Sequence, residues 1–202
     1  MPRLIVELGM GDGTLLETLA KQDCNSIYIG IELNNEQCMQ ARSRIILSNV
    51  IIANKSFEDL VPTFQDESID QFIAVLPDPL FIDEKREQQW KLFYKSVYYK
   101  LKNGGRLQIV TELTDELLQP ISDDRYLAWT DWLKSCFTSL GFTLAGQQEG
   151  APRQYVSRCI KQFSGDPERI RIITLDLLKQ RSKFQLQPRL NESSSNILRT
   201  VL

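Results

Sequence analysis

The stretch Glu7-Leu8-Gly9-Met10-Gly11-Asp12-Gly13 sets three glycines at alternate positions behind a carboxylate. Glycines at this spacing let a ligand approach the backbone closely, and a helix following the loop aims its free N–H groups at the same place. A pyrophosphate-binding fingerprint needs GxGxxG, with Gly or Ala where this chain has Thr14; here the spacing is GxGxG. That argues against NAD and FAD. Glu7 would also repel a pyrophosphate, whereas it would attract the cationic amino-acid end of S-adenosyl-L-methionine. Glu32, 21 residues after Gly11, stands where a carboxylate accepts hydrogen bonds from both hydroxyls of a ribose. Glu7, Gly9, Gly11, Gly13 and Glu32 together form a candidate adenosyl-cofactor site. Taken singly, the glycines would serve any tight turn and Glu32 could be a solvated strand end.

Three further places carry chemistry. Ser56-Phe57 would offer an adenine one polar contact and one apolar face, although Phe57 also suits a core. Leu76, where a fourth strand would end, joins the candidate cofactor contacts. It leads into Pro77-Asp78-Pro79, two prolines stiffening the backbone around one carboxylate at the edge where substrate would meet cofactor. The same tripeptide is a good turn with its aspartate as cap.

The composition narrows the chemistry. The chain contains no histidine, which excludes Ser-His-Asp and Cys-His nucleophilic machinery and the commonest general base near neutral pH. Cys24, Cys38, Cys136 and Cys159 are scattered without a CxxC pair and read as reduced, mostly buried thiols; no metal is expected. No apolar run approaches the roughly 20 residues of a membrane span and no leader is apparent, so a cytoplasmic protein without membrane contact is expected. The net charge of -2 is uneven: residues 151–202 hold 10 Lys and Arg against 4 Asp and Glu, the rest 14 against 22. A basic final third could meet a polyanion or simply be a solvated face.

The elements that must position these residues alternate. Short apolar runs predict strands at 4–8, 26–32, 50–54, 71–75, 106–110, 143–146 and 169–177. Helical spacing predicts helices at 14–21, 36–47, 87–100 and 131–140, with turns at Asn103-Gly104-Gly105 and Gly141. Such alternation implies an α/β fold with a doubly wound, mainly parallel sheet. Its length suits one catalytic domain over 1–179, followed by a polar tail over 180–202 without sustained periodicity.

Together these stretches resemble the tRNA (guanine-N7)-methyltransferase family across roughly 4–177. The resemblance rests on the ExGxGxG loop, Gly30-Ile31-Glu32, Asn49-Val50, Leu76-Pro77-Asp78-Pro79, Gly104-Gly105, Thr111-Glu112, and Gln154-Tyr155 followed by Arg158. It implies a Rossmann-like class I methyltransferase fold, with seven strands and the last antiparallel. It also implies S-adenosyl-L-methionine as cofactor and methyl transfer to guanine N7 in tRNA. On this resemblance Asp78 orients the acceptor with help from Glu112, and Lys85, Arg86, Arg153, Tyr155 and Arg158 face the RNA. The chain departs from the family at several points. Leu80 replaces a tryptophan, only Lys85 and Arg86 remain of a basic cluster, Glu112 replaces aspartate, and Arg153 and Val156 replace threonine and glutamate. The departures bear on the substrate, leaving room for a methyltransferase acting on a small molecule or protein, or for a non-catalytic partner subunit. A monomer or homodimer is expected; a nicotinamide oxidoreductase fails at Thr14.

Overall fold

A computed structural model describes residues 1–180 except Glu116, Leu118 and Val156. The chain begins by alternating β1 (Leu4–Leu8), α1 (Thr14–Gln22), β2 (Ile27–Glu32), α2 (Asn35–Arg44) and β3 (Val50–Asn54). It continues through α3 (Phe57–Leu60), β4 (Ile69–Val75), α4 (Glu87–Lys100), β5 (Leu101–Thr114), α5 (Asp123–Ser139), β6 (Phe142–Glu149), α6 (Arg158–Phe163) and β7 (Ile170–Lys179). Expected residues 181–202 of the polar tail, and Val156, lie outside the described residues.

One seven-stranded sheet carries the site, in the order β3-β2-β1-β4-β5-β7-β6. The first five of these strands run parallel, and β7 runs antiparallel to both β5 and β6. The apolar run Leu-Ile-Val-Glu-Leu of β1 suits a central strand covered on both faces, and it is buried from Ile5 onward. On one face Leu16 of α1, Ala41 of α2 and Ile160 of α6 pack with Ile5, Ile73 and Val110. On the other, Trp90 and Tyr94 of α4 and Leu133 and Phe137 of α5 pack with Phe72, Leu107 and Leu175. The strand order reverses between β1 and β4, so a crevice opens beyond their carboxyl ends, where open α/β sheets bind ligands.

Four sequence expectations are corrected. The fifth helix starts at Asp123, not 131, because Ser122 caps it, its Oγ accepting from Arg125 N at 3.3 Å, and Asp123 and Asp124 favour the first turn. Asn103-Gly104-Gly105 is not a turn between elements: β5 runs from Leu101 through it. The register against β4 slips there, from Ile69 opposite Leu101 to Gln71 opposite Arg106, so the glycines form a bulge, with Gly104 at φ 79°. The second helix closes at Arg44, where Ile45 turns extended and buries its side chain. Two cysteines, Cys38 and Cys136, are buried, whereas Cys24 and Cys159 are exposed, so the thiols are not mostly buried. The six-residue α6 was not anticipated, being too short to display a helical period.

Candidate functional site

The glycine loop folds back over β2. Gly9, Gly11 and Gly13 take φ values of 70°, 57° and 74°, a region costly to side chains, and Gly9 N and Met10 N both donate to Ile31 O, at 2.9 and 3.0 Å. Space is tight as well: a Cβ on Gly13 would lie 2.9 Å from Ile45 Cδ1. Glu32 ties the loop to the start of α2, its Oε2 accepting from Gly11 N at 2.9 Å and its Oε1 from Asn34 N at 2.8 Å. A carboxylate has about four acceptor positions, so each oxygen retains capacity for a ligand hydroxyl.

Glu7 lies beneath the loop, 3% exposed. Burial, then the negative charges of Asp12 and Glu32, raise its pKa well above the usual carboxyl range. Its Oε2 has no hydrogen-bond partner. A pocket of about 160 Å³ is lined by Glu7, Gly9, Gly11 and Asp12, by Gln37 of α2, and by Ser157 and Arg158. Tyr155 is buried in the core on this face, donating its hydroxyl to Gln108 Oε1, and desolvation raises its pKa.

The acceptor side begins where β4 ends. Leu76 has a left-handed backbone, φ 49°, and donates its N–H to Val110 O at 2.7 Å. A non-glycine residue held there marks strain that its surroundings must maintain. Asp78 follows, exposed, its Oδ1 accepting from Leu80 N at 2.9 Å to cap the short 3-10 turn Pro79–Phe81. A second such turn, Glu84–Arg86, is capped by Asp83. Between these turns and the ends of β5 and α5 lies a cavity of about 480 Å³, its walls including Ile82, Lys85, Glu112, Asp115, Arg125 and Trp129. Arg125 is paired with Asp115 at 2.8 Å. Burial pushes the Glu112 carboxyl up to about 7, and its Oε2 has no partner.

Glu7 Oε2, Thr111 Oγ1 and Glu112 Oε2 are the buried side-chain oxygens without partners among the described residues. All three belong to the carboxyl halves of β1 and β5, and Glu7 lines one of the two cavities and Glu112 the other. Buried polar groups are ordinarily satisfied, so orphans gathered at one edge point to partners that arrive from outside.

The remaining expected site residues are distributed unevenly. Ser56 caps α3, its Oγ accepting from Glu58 N at 3.2 Å. Phe57 stacks edge-on with Phe81 at 4.7 Å, and its Cε1 lies 3.9 Å from where a Gly9 side chain would begin. Phe57 therefore joins the glycine loop to the Pro-Asp-Pro turn. Lys85 lines the acceptor cavity, Arg86 is exposed beside it at the start of α4, and Arg153 is exposed on the turn before α6. Arg158 lines the glycine-loop pocket instead. Sequence reading missed Gln37 and Gln40 of α2, and Arg125 and Trp129 of α5, as pocket walls. Gln37 and Gln40 lie just past the Glu32 strand end, which was the available signal.

Among the described residues no helix is long and apolar enough to cross a membrane, and no group of three His, Cys, Asp or Glu is placed to hold a metal. A doubly wound sheet, a glycine loop after its first strand, a carboxylate ending its second and a switch-point crevice define a protein that holds a nucleoside-type ligand. Residues 2–124 match the family model described as "Putative methyltransferase", and the chain belongs to that family. It is similar to the tRNA (guanine-N(7)-)-methyltransferase of Campylobacter fetus, 29% identical over 141 residues, which are 68% of this chain and 32% of that protein. The enzyme of the same name from Aquifex aeolicus is 30% identical over 120 residues, 55% of this chain and 40% of that protein. The match thus spans less than half the length of either relative. Among solved structures, the 16S rRNA methyltransferase KamB superposes with a TM-score of 0.66 at 12% identity, covering 88% of each chain. That likeness establishes the Rossmann-like class I methyltransferase fold.

Proposed function

We propose that this chain transfers a methyl group from S-adenosyl-L-methionine to guanine N7 in tRNA. The observation that carries the cofactor is the unpartnered Glu7 Oε2 under a glycine loop whose neighbour Glu32 still has acceptor capacity. Glu7 suits the ammonium group, Glu32 the ribose hydroxyls, and Ser56, Phe57 and Leu76 the adenine side. When bound, the cofactor supplies an electrophilic methyl group on a sulfonium. The substrate half of the reading is supported by the names of the relatives and by the donor-hungry cavity around Glu112.

Guanine N7 has a free lone pair and loses no proton on attack, so a chain without histidine can catalyse by positioning. Asp78 and Glu112 hold the base by its N1–H and N2–H2 donors. These donors become more acidic as the purine gains the positive charge, so both contacts strengthen toward the transition state. Lys85, Arg86 and Arg153 meet backbone phosphates.

The test is mass spectrometry of nucleosides after incubating bulk tRNA with the protein and isotope-labelled cofactor. Labelled 7-methylguanosine is expected, and Asp78→Ala should lower its rate by about 100-fold while the fold stays intact. Transfer that persists within a few-fold in the variant removes Asp78 from the mechanism. Label found only in metabolites or protein overturns the tRNA substrate. One observation favours that second reading: Asp83, Glu84 and Asp115 outnumber Lys85 and Arg125 around the acceptor cavity, which also suits a cationic acceptor.

A further inference from the structure

We propose that Arg158 binds the carboxylate of the cofactor's amino-acid end, opposite Glu7, rather than an RNA phosphate; this rests on the cofactor reading above. Three observations meet at this residue. Among the described residues, Arg158 is the only cationic residue lining the glycine-loop pocket, whose other charged walls are Glu7 and Asp12. Glu32 stands just behind Gly11 and adds to the same negative field. A free carboxylate entering there would be repelled unless a cation lay beside it. Glu7 answers only the ammonium half of an amino-acid group, and its Oε2 is buried without a partner.

The side chain of Arg158 is uncommitted. It makes no hydrogen bond or ion pair with any described residue, while Arg44, Arg125 and Arg171 are each paired with a carboxylate. Its backbone is nonetheless held. Ser157 caps α6, its Oγ accepting from Ile160 N at 3.1 Å, and Ile160 is buried against the same core as Leu15 and Leu16. Upstream, Tyr155 is buried and anchored to Gln108 of β5. An arginine on a pinned segment with a free guanidinium is pre-organised for a carboxylate, which it can meet with two parallel N–H donors.

Isothermal titration calorimetry with three ligands separates the possibilities. S-adenosylhomocysteine carries both ammonium and carboxylate, decarboxylated S-adenosylmethionine carries the ammonium alone, and 5'-methylthioadenosine carries neither. Arg158→Gln should weaken S-adenosylhomocysteine by about 10- to 100-fold, the usual loss for a charged hydrogen-bonded partner. It should leave the other two ligands within about 2-fold, and Arg158→Lys should recover part of the loss. Unchanged S-adenosylhomocysteine affinity in Arg158→Gln, with the wild type binding normally, overturns the assignment. So does an equal loss for all three ligands, which would mean a distorted pocket. A wild type that binds none of the three overturns the cofactor reading itself, and this assignment with it. The salt dependence of tRNA binding should be the same in Arg158→Gln and wild type; a flatter slope there returns Arg158 to the RNA and refutes the proposal.

Discussion

Glu112 is held in a position that favours its neutral form. Burial raises its pKa to about 7, against about 4.3 for a carboxyl in an unfolded chain. Between those values the folded protein keeps a proton that the unfolded chain releases, so stability falls as pH rises through that window. Above 7 the full cost of a buried charge is present. Glu112→Gln should therefore melt higher than the wild type at pH 8 and close to it at pH 4.5, as scanning calorimetry across that range would show. Parallel curves would mean that a partner is already present for Glu112. None of this was legible in the sequence. Thr111-Glu112 was visible as a pair, but whether Oε2 finds a partner depends on how β5 sits against the turns after β4, which no local pattern encodes. Glu7 was more readable, because its place before a glycine loop fixes what it faces. Tyr155 went the other way: expected to face substrate, it lies in the core, and a tyrosine beside a basic turn looks the same in either role.

At the scale of elements, the junction from β1 to α1 combines a backbone requirement with a packing requirement. Gly13 sits at φ 74°, and a Cβ there would lie 2.9 Å from Ile45 Cδ1 and 3.2 Å from Ala41 Cβ. Gly13→Ala should cost about 1–3 kcal/mol from strain alone, which for a chain of this size is a drop of several degrees in melting temperature. An unchanged melting temperature would show that the loop can relax without loss. The strands and most helices were readable because each either runs apolar or repeats at helical spacing. The bulge in β5 was not, since Asn-Gly-Gly is as good a turn as a bulge and only pairing with β4 distinguishes them. The start of α5 is weakly marked: Tyr126, Trp129 and Leu133 carry its apolar stripe toward the capping Ser122, but Asp123, Asp124 and Arg125 make its first turn polar.

For the whole molecule, charge is arranged by cavity and not by length of chain. The acidic pocket walls lie at the carboxyl edge of the sheet, with Lys85 and Arg86 beside one cavity and Arg158 in the other. If tRNA is the substrate, the double variant Lys85→Gln with Arg86→Gln should weaken its binding at low salt. It should also flatten the dependence of log affinity on log salt by about 1 to 2 in slope. A filter-binding series over several salt concentrations reads this directly, and an unchanged slope would exclude these two side chains from phosphate contact.

The antiparallel end of the sheet has a further consequence, for the order of assembly during synthesis. β6 is made before β7 yet, among the described residues, pairs with no strand other than β7, which also covers β5 along nine residue pairs from Arg106 to Thr114. While translation proceeds, β1 to β5 can form a half-sheet behind the ribosome, but its β5 border stays open and β6 waits without a hydrogen-bonding neighbour until residue 179 has emerged. An open strand border invites pairing with other chains. The vulnerable interval in the life of this protein thus falls between the synthesis of β6 and that of β7, and a ribosome stalled there would leave its stickiest intermediate.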